Sequence, residues 1–220
     1  MTAFARYEFG FRKNTHALTL PKWKQVHGVA IAEVTSLDQD CGEVDGLWTR
    51  VPKLPVAVIT ADCVPIFMVN KIVGAAGALH AGWRGTFQNI VSSFFSSLPQ
   101  ELAKNDEWSA VIGPSIRACC YEVSEELIKQ FKEAYPEISS EQIEPSPRKL
   151  DLIEVNLYQL FAQGVSDVVI HPDCTHCKKD ENGDFKYFSY RRGDRQSRQY
   201  SVIELEQFSL GDMNRVLTKK

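Results

Sequence analysis

Short apolar runs separated by turn-forming residues dominate the hydrophobic pattern between residues 56 and 80. A short continuous apolar run is typical of a strand that is buried on both faces, and turn residues mark where such a strand ends. The pattern therefore predicts buried strands at VAVIT (56–60), IFMVN (66–70) and GAAGALH (74–80).

Three later stretches carry apolar residues at the spacing of one helix face. The first begins at Thr86, keeps this spacing as far as Leu98 and stops at Pro99. In the second, Ser124 is a suitable N-cap and acidic residues occupy the first turn. Its predicted buried face consists of Leu127, Ile128 and Phe131.

The third helix is predicted from about Leu150 to Gln163, with Gly164 as its C-terminal cap. Strand patterns then return, separated by the polar hairpin loop KKDENGDF (178–185). The inward residues expected in the helix are Leu150, Ile153, Leu157, Leu160 and Phe161, and the expected strands are SDVVIHP (166–172), FKYFSYRR (185–192) and QYSVIEL (199–205).

The polar segment EISSEQIEPSPRK (137–149) contains two prolines and is interpreted as an exposed connection. It is not a domain linker, because neither side of it has a complete set of elements. The strands and helices alternate along the chain, which predicts a single mixed domain of the α/β or α+β class.

Composition supports a globular protein with a substantial core, since 44% of the 220 residues are hydrophobic and 24% are charged. The formal net charge of −3 provides no basic field. We therefore expect neither a nucleic-acid partner nor an anionic membrane surface.

The sequence predicts a cytoplasmic location. No run approaches the ~20 apolar residues that cross a bilayer, and the start MTAFARYEFGFRKN lacks the apolar core of a signal peptide. The six cysteines form an even set, but a chain of this size does not depend on disulfides. Reduced thiols or thiolate ligands are expected.

Three potential metal ligands stand where predicted strands meet turns: His27 in QVHG, Cys63 in TADC and His80 in LHAGW. Two imidazoles and one thiolate leave a fourth position open, which is the arrangement of a catalytic zinc. The intervals between the three residues match no local ligand motif. The alternative is that they are hydrogen-bonded core histidines and a buried cysteine.

Seven motifs occur in the order and approximate spacing of the bacterial YfiH-like family, also called the laccase-domain or polyphenol oxidase family and described as purine nucleoside phosphorylases. The chain resembles this family over residues 25–205. The motifs are QVHG (25–28), DGLWT (45–49), TADCVPI (60–66), LHAGWRGT (79–86), IGPSIRACCYEV (112–123), CTHC (174–177) and FSYRR (188–192).

The resemblance implies an α+β fold of a single domain, with mixed β-sheets flanked by helices, similar to that of a bacterial toxin with a Cys-His site (the CNF1/YfiH-like cysteine-hydrolase type). It also implies that His27, Cys63 and His80 are the metal ligands, with zinc as the metal and copper as the alternative. The implied activities are phosphorolysis of adenosine, inosine, guanosine and methylthioadenosine, and deamination of adenosine. Purine nucleosides and phosphate are thus the expected partners.

Two further residues receive candidate catalytic roles beside Cys63. Asp62 could move a proton, or it could be a turn residue that accepts backbone N–H bonds. Arg84 offers a fork of donors to phosphate, or it could form a surface ion pair. Its neighbours Gly82 and Gly85 allow a close backbone approach in a turn that we expect at the surface.

The remaining cysteines and arginines have open interpretations. GPSIRACCYE (113–122) is interpreted as a pocket-lining loop, which makes Cys119 a candidate substrate-binding residue. Adjacent side chains tend to diverge, so Cys119 and Cys120 are not expected to share a metal. The single CxxC of CTHC is expected to be two packed thiols, since a structural zinc needs four ligands; the alternative is that His171 or His176 supplements it. In FSYRR, Arg191 and Arg192 could hold an anion or brace a strand edge by ion pairs.

The family usually has a longer N-terminal region with a Ser-Leu-Asn segment that contributes to the pocket. Only 26 residues precede His27, and FRKNTHAL (11–18) is at best a degenerate remnant. We expect a single domain over residues 1–220 with a shortened N-terminal region. The alternatives to a zinc phosphorylase are a copper-dependent polyphenol oxidase and a metal-binding Cys-His hydrolase-like protein with weak catalysis.

Overall fold

The middle layer of the fold is a mixed six-stranded sheet whose order is β10-β9-β7-β8-β5-β3. A three-stranded antiparallel sheet, β1-β11-β6, covers one face, and β2 and β4 form a separate parallel pair. The computed structural model describes residues 5–12, 19–70, 72–104 and 107–206. Its strands are β1 (Ala5–Phe9), β2 (Lys22–Lys24), β3 (Ile31–Glu33), β4 (Asp40–Glu43), β5 (Gly46–Thr49), β6 (Val56–Thr60), β7 (Val64–Asn70), β8 (Ala75–Ala81), β9 (Trp108–Ile112), β10 (Asp167–Ile170) and β11 (Gln199–Leu205).

Burial on both faces explains why the central strands are apolar throughout. In β7, Ile66 and Met68 pack into the core that the sheet shares with the helices. Phe67 and Val69 alternate with them and pack into a second core, between the six-stranded and three-stranded sheets. The predicted strands at 56–60, 66–70 and 74–80 are thus confirmed as β6, β7 and β8.

Helices form the third layer, on the other face of the six-stranded sheet. The single helix predicted from Thr86 to Leu98 is wrong, because the chain breaks at Asn89. That residue adopts a left-handed conformation (φ 61°), and its side chain accepts a hydrogen bond from the N–H of Ser92, which caps a new helix. The helices are α1 (Trp83–Phe87), α2 (Ile90–Ser97), α3 (Glu125–Ala134), α4 (Ser140–Ile143) and α5 (Leu152–Ala162), with a 3₁₀ turn at Gln100–Leu102.

The second and third helices are confirmed as α3 and α5, with one change of face. Ser124 caps α3 through the N–H of Leu127, as predicted. Asp151 caps α5, in which Leu152 and Val155 are buried while Phe161 is 52% exposed. The predicted inward position of Phe161 is therefore wrong.

Two predicted segments differ from the structure. The connection 137–149 contains α4, whose Ser139 and Gln142 form a reciprocal capping box. FKYFSYRR is a loop rather than a strand, because side chains satisfy its backbone: the N–H of Phe188 donates to Gln199 and that of Ser189 to Asp194. The expected strands at 166–172 and 199–205 are present as β10 and β11.

The architecture is of the α+β class, with mixed sheets and flanking helices. Of the segment FRKNTHAL, residues 13–18 lie outside the described residues. None of the described helices is long and apolar enough to cross a membrane.

Candidate metal centre

Strand register brings two of the three predicted metal ligands to one end of the central sheet. In the antiparallel pair β7–β8, Pro65 lies opposite His80, so Cys63 and Gly82 meet just beyond the last paired residues. His27 approaches from the loop that follows β2. The ligand atoms of His27, Cys63 and His80 all lie within 4.8 Å of one another. We call these three residues the His-Cys-His cluster.

Asp45 organises this cluster, and the sequence analysis did not single it out. It directly precedes β5, whose residue Gly46 pairs with Leu79, so its carboxylate lies beside His80. Oδ1 lies 2.7 Å from Nδ1 of His80. The same carboxylate accepts backbone N–H bonds from Val26 (3.1 Å), His27 (2.9 Å) and Gly28 (2.7 Å). The sequence signal that could have identified Asp45 is an acidic residue directly before a buried strand, in the motif DGLWT.

Asp45 therefore fixes both histidines. It holds the His27 loop through backbone bonds, and His27 itself adopts a left-handed φ of 61°. Its bond to Nδ1 of His80 leaves Nε2 as the free nitrogen of that ring. The two imidazole rings meet edge to face, with centroids 4.9 Å apart.

The electrostatics of the cluster favour a thiolate. Burial opposes ionisation of Cys63, but the charge of His80 and hydrogen bonds from both histidines outweigh it and lower the pKa of the thiol to about 6. Burial likewise opposes protonation of His80, yet Cys63 and Asp45 raise the pKa of the imidazole to about 9. A protonated His80 thus balances the two anionic groups, Cys63 and Asp45.

Gly82 and Gly85 permit the close packing around the cluster. A Cβ atom on Gly82 would lie 3.1 Å from Sγ of Cys63 and 3.3 Å from Cδ2 of His27. A Cβ on Gly85 would lie 3.1 Å from the carbonyl oxygen of Gly28. Both glycines are buried, which corrects the expectation of a surface turn.

The donor set fits one zinc ion. Tetrahedral zinc with bonds of about 2.0–2.3 Å holds its ligands roughly 3.3–3.8 Å apart, and the three donors here already converge to within 4.8 Å. Histidines that bind zinc usually donate their other ring nitrogen to a carboxylate, as Nδ1 of His80 does to Asp45. A copper ion would also accept two imidazoles and a thiolate. A multi-copper centre needs further imidazoles, but among the described residues only His27 and His80 lie in a group of potential metal ligands.

The cluster opens into a cavity of about 790 Å³, a volume typical of small-molecule sites. Aromatic and cationic side chains dominate its walls. Burial, with a smaller contribution from the charge of Cys63, raises the pKa of Tyr121 to about 12, so its phenol stays a neutral donor. The aromatic lining residues are Trp23, Trp83, Tyr121 and Tyr190, and the cationic ones are Lys24, Arg84, Arg191 and Arg198.

Arg84 and Arg191 both line this cavity, although they come from distant parts of the sequence. Arg84 lies in α1, exposed, with its guanidinium carbon 4.2 Å from the ring centroid of Trp83. Arg191 stands over Tyr121 at 5.1 Å and donates to the carbonyl of Glu122. Two cationic groups beside the His-Cys-His cluster make the cavity suitable for an anion.

Asp62 lines the cavity next to Cys63, but its carboxylate is occupied by protein donors. It accepts hydrogen bonds from the hydroxyls of Thr175 (2.7 Å) and Ser189 (3.0 Å) and from the N–H of Arg191 (2.8 Å). Asp62 also has a left-handed φ of 96°. The visible role of this carboxylate is to fasten the 189–191 loop against the cavity.

The other predicted residues lie elsewhere. Cys119 is not among the cavity-lining residues, although Ile116 and Tyr121 of the same loop are. It lies with Cys120, Cys174 and Cys177 in a separate group of thiols. Arg192 braces its own loop, because it donates to the carbonyl of His176 and pairs with Asp194.

Comparison with known proteins identifies the class. The family model for multi-copper polyphenol oxidoreductase laccases matches residues 9–206, and the chain belongs to this family. It is 34% identical over 195 residues to purine nucleoside phosphorylase YlmD of Geobacillus stearothermophilus, a match that covers 80% of this chain and 69% of that protein.

Two further relatives support the assignment. Adenosine deaminase RL5, from an unknown prokaryotic organism, is 34% identical over 187 residues, with 80% of this chain and 70% of that protein covered. The crystal structure of the hypothetical protein YfiH of Bacillus licheniformis superposes with a TM-score of 0.71 at 30% identity, covering 84% of this chain and 74% of that one. The resemblance to the YfiH-like family and to its fold is thus confirmed. The names of the relatives support the prediction that this chain is an enzyme.

Proposed function

We propose that this chain is a zinc-dependent purine nucleoside phosphorylase that also deaminates adenosine. One observation carries the proposal: the His-Cys-His cluster, Arg84 and Arg191 line the same cavity. The names of the two relatives, a phosphorylase and a deaminase, support both reactions. The proposed substrates are adenosine, inosine, guanosine and methylthioadenosine, with inorganic phosphate as the second substrate.

In phosphorolysis, a phosphate oxygen forms a bond to the anomeric carbon of the ribose while the bond from that carbon to the purine nitrogen breaks. The purine nitrogen takes up a proton, and the products are the free base and ribose 1-phosphate, or 5-methylthioribose 1-phosphate from methylthioadenosine. Arg84 and Arg191 bind and orient the phosphate anion, since guanidinium groups match its oxygens with paired donors. The aromatic walls, which include Trp83 and Tyr121, contact the purine and exclude water.

In deamination, water adds to the purine carbon that carries the amino group, and ammonia leaves. A zinc ion held by His27, Cys63 and His80 would supply Lewis acidity, which makes water nucleophilic near neutral pH. Asp45 holds the two histidines in place, and Asp62, next to Cys63, is proposed to accept and return the proton.

Product analysis tests the proposal. Purified protein with known metal content is incubated with adenosine, with and without phosphate, and the products are separated by chromatography. We expect adenine and ribose 1-phosphate only when phosphate is present. Deamination should give inosine in both cases, with part of it converted to hypoxanthine when phosphate is present. Absence of all these products from the zinc-loaded, folded protein would contradict the proposal and favour a metal-binding protein with weak catalysis.

The family description favours a second candidate, a copper-dependent polyphenol oxidase. Reduction of oxygen to water takes four electrons and therefore several copper ions. The described residues contain one cluster with imidazole ligands. Oxygen uptake by the copper-loaded protein with a phenol substrate, above the rate for free copper, would support the oxidase.

A further inference from the structure

Four thiols from two separate segments meet at a place that the proposed activity does not use. Strands β9 and β10 are parallel neighbours, so the loops that follow them leave the same edge of the sheet. The loops stay together, since Ser115 bridges to Cys174 and the N–H of Thr175 donates to the carbonyl of Ser115 (3.0 Å). The Sγ atoms of Cys119, Cys120, Cys174 and Cys177 all lie within 4.8 Å of one another. We call this group the four-cysteine cluster.

The first loop supplies two adjacent thiols on the same side. The carbonyl of Arg117 accepts hydrogen bonds from both Cys120 (2.8 Å) and Tyr121 (2.9 Å), which curls residues 117–121 into a tight turn. In this turn, Sγ of Cys119 and Sγ of Cys120 lie only 3.6 Å apart. The expectation that adjacent cysteines diverge holds for an extended chain and is wrong for this turn.

The second loop presents Cys174 and Cys177 to the first loop. The N–H of Arg117, in the first loop, donates to Sγ of the buried Cys174 (3.4 Å). This bond holds the sulfur of the second loop beside Cys119 and Cys120, where all four thiols converge.

We propose that the four-cysteine cluster binds one zinc ion in a closed, tetrahedral site. Four sulfurs at about 2.3 Å from one ion stand about 3.8 Å apart, and the four Sγ atoms here already lie within 4.8 Å of one another, with Cys119 and Cys120 at 3.6 Å. A cluster of several metal ions needs its thiolates farther apart than a single ion does. Binding releases the thiol protons to solvent and leaves a net charge that the nearby Arg117 guanidinium partly offsets.

The site is structural rather than catalytic, because four thiolates leave no open position for water or substrate. It joins the loop that carries Ile116 and Tyr121 of the cavity to the loop whose Thr175 holds Asp62. The ion therefore fixes one wall of the active cavity without touching the substrate. The sequence showed only a lone CxxC and a Cys-Cys pair, 54 positions apart between Cys120 and Cys174.

Metal analysis separates this site from the His-Cys-His cluster. Protein is purified under reducing conditions without chelator, and zinc per chain is measured by mass spectrometry. We expect two zinc ions in the natural protein, one in Cys63→Ala, one in Cys177→Ser and none in the double variant. Cys41→Ser is the matched control, since Cys41 is a free thiol outside both clusters, and it should keep both ions.

Three results would overturn the proposal. The first is a folded Cys63→Ala protein that binds no zinc, and the second is a Cys63→Ala/Cys177→Ser protein that keeps one ion. The third is a disulfide between cluster cysteines in protein that was alkylated at lysis. Because these variants retain or remove the second ion independently of any turnover, failure of the phosphorylase assignment would leave the result unchanged.

Cobalt substitution identifies the ligands without the Cys177 variant. Cobalt is added to metal-free Cys63→Ala protein, and its absorption spectrum is recorded. Four thiolates should give intense sulfur-to-cobalt charge-transfer bands and the visible bands of tetrahedral cobalt. Weak bands of octahedral cobalt in the folded protein would contradict a tetrathiolate site.

Discussion

Oδ1 of the buried Asp45 lies 2.7 Å from Nδ1 of the buried His80, while the same carboxylate binds three consecutive backbone amides of the His27 loop. One side chain thus couples two histidines that are 53 positions apart in the chain. Precise placement of metal ligands depends on such partners, because they fix the tautomer and the ring orientation.

Asp45→Asn should therefore weaken zinc binding at the His-Cys-His cluster by about 10–100-fold. The amide keeps the volume of the carboxylate, but it removes the negative charge from the distal nitrogen of His80. The dissociation constant is measured by competition with a chelator of known affinity, in a Cys177→Ser background that removes the second proposed ion. Asp38→Asn, in an exposed turn, is the control, and equal affinities in the two variants would contradict the role of Asp45.

Gly82→Val should fold yet lose both metal and turnover. The backbone of Gly82 has φ −66° and ψ 171°, which any residue adopts, so backbone strain is not the cause. The added side chain would instead press on Sγ of Cys63 and on His27, two of the three proposed metal ligands. Circular dichroism and zinc content are compared for Gly82→Ala and Gly82→Val, with the larger loss in the valine variant. A folded valine variant with full metal content and activity would show that the contact is unimportant.

Arg84→Ala should impair phosphorolysis far more than deamination, because only phosphorolysis has an anionic second substrate. Loss of a charge-assisted hydrogen bond is worth roughly 1.5–3 kcal/mol, which corresponds to about a 10- to 100-fold fall in kcat/KM for phosphate. The matched control is Arg50→Ala, since Arg50 pairs with Glu33 and Glu101 away from the cavity. Equal losses in both reactions would assign Arg84 a structural role.

Asp62→Asn distinguishes proton transfer from loop positioning. A proton carrier at this position predicts that kcat falls and that one limb of its pH profile disappears, with KM for phosphate unchanged. Positioning of the 189–191 loop predicts the reverse: a raised KM for phosphate through displacement of Arg191, with the shape of the pH profile retained. The measurement is kcat and KM across pH for the natural and variant proteins.

Asp194→Asn should lower stability at neutral pH by about 1–3 kcal/mol. Burial opposes ionisation of Asp194, but the N–H of Ser189 and the guanidinium of Arg192 lower the pKa of its carboxyl. Its stabilising effect is thus fully present above the unfolded pKa of about 3.9 and is lost as the pH falls through the lower folded value.

Urea unfolding of the natural and variant proteins measures this difference as a function of pH. The difference should stay constant between about pH 7 and pH 5 and shrink below about pH 4. Glu43→Gln is the control, since its pair with Lys24 is exposed and should contribute less than about 1 kcal/mol. A difference for Asp194→Asn that persists unchanged into acid would contradict an electrostatic origin.

Local pattern alone determined several elements of this protein. VAVIT and QYSVIEL coincide with β6 and β11, and Ser124 caps α3 as its chemistry requires. These features depend on burial and backbone hydrogen bonding within a few residues. The local order of apolar and polar side chains is therefore enough to predict them. The family resemblance likewise came from motifs that are continuous in sequence.

Tertiary structure decided how distant segments meet. The register of β7 against β8 and of β8 against β5 brings Cys63, His80 and Asp45 together, and no local spacing encodes that register. The four-cysteine cluster likewise exists only because the loops after two parallel strands leave the same edge of the sheet. Side-chain periodicity records which face of a strand is buried, but strand pairing sets which residues become neighbours, because hydrogen bonds between strands join positions far apart in the chain.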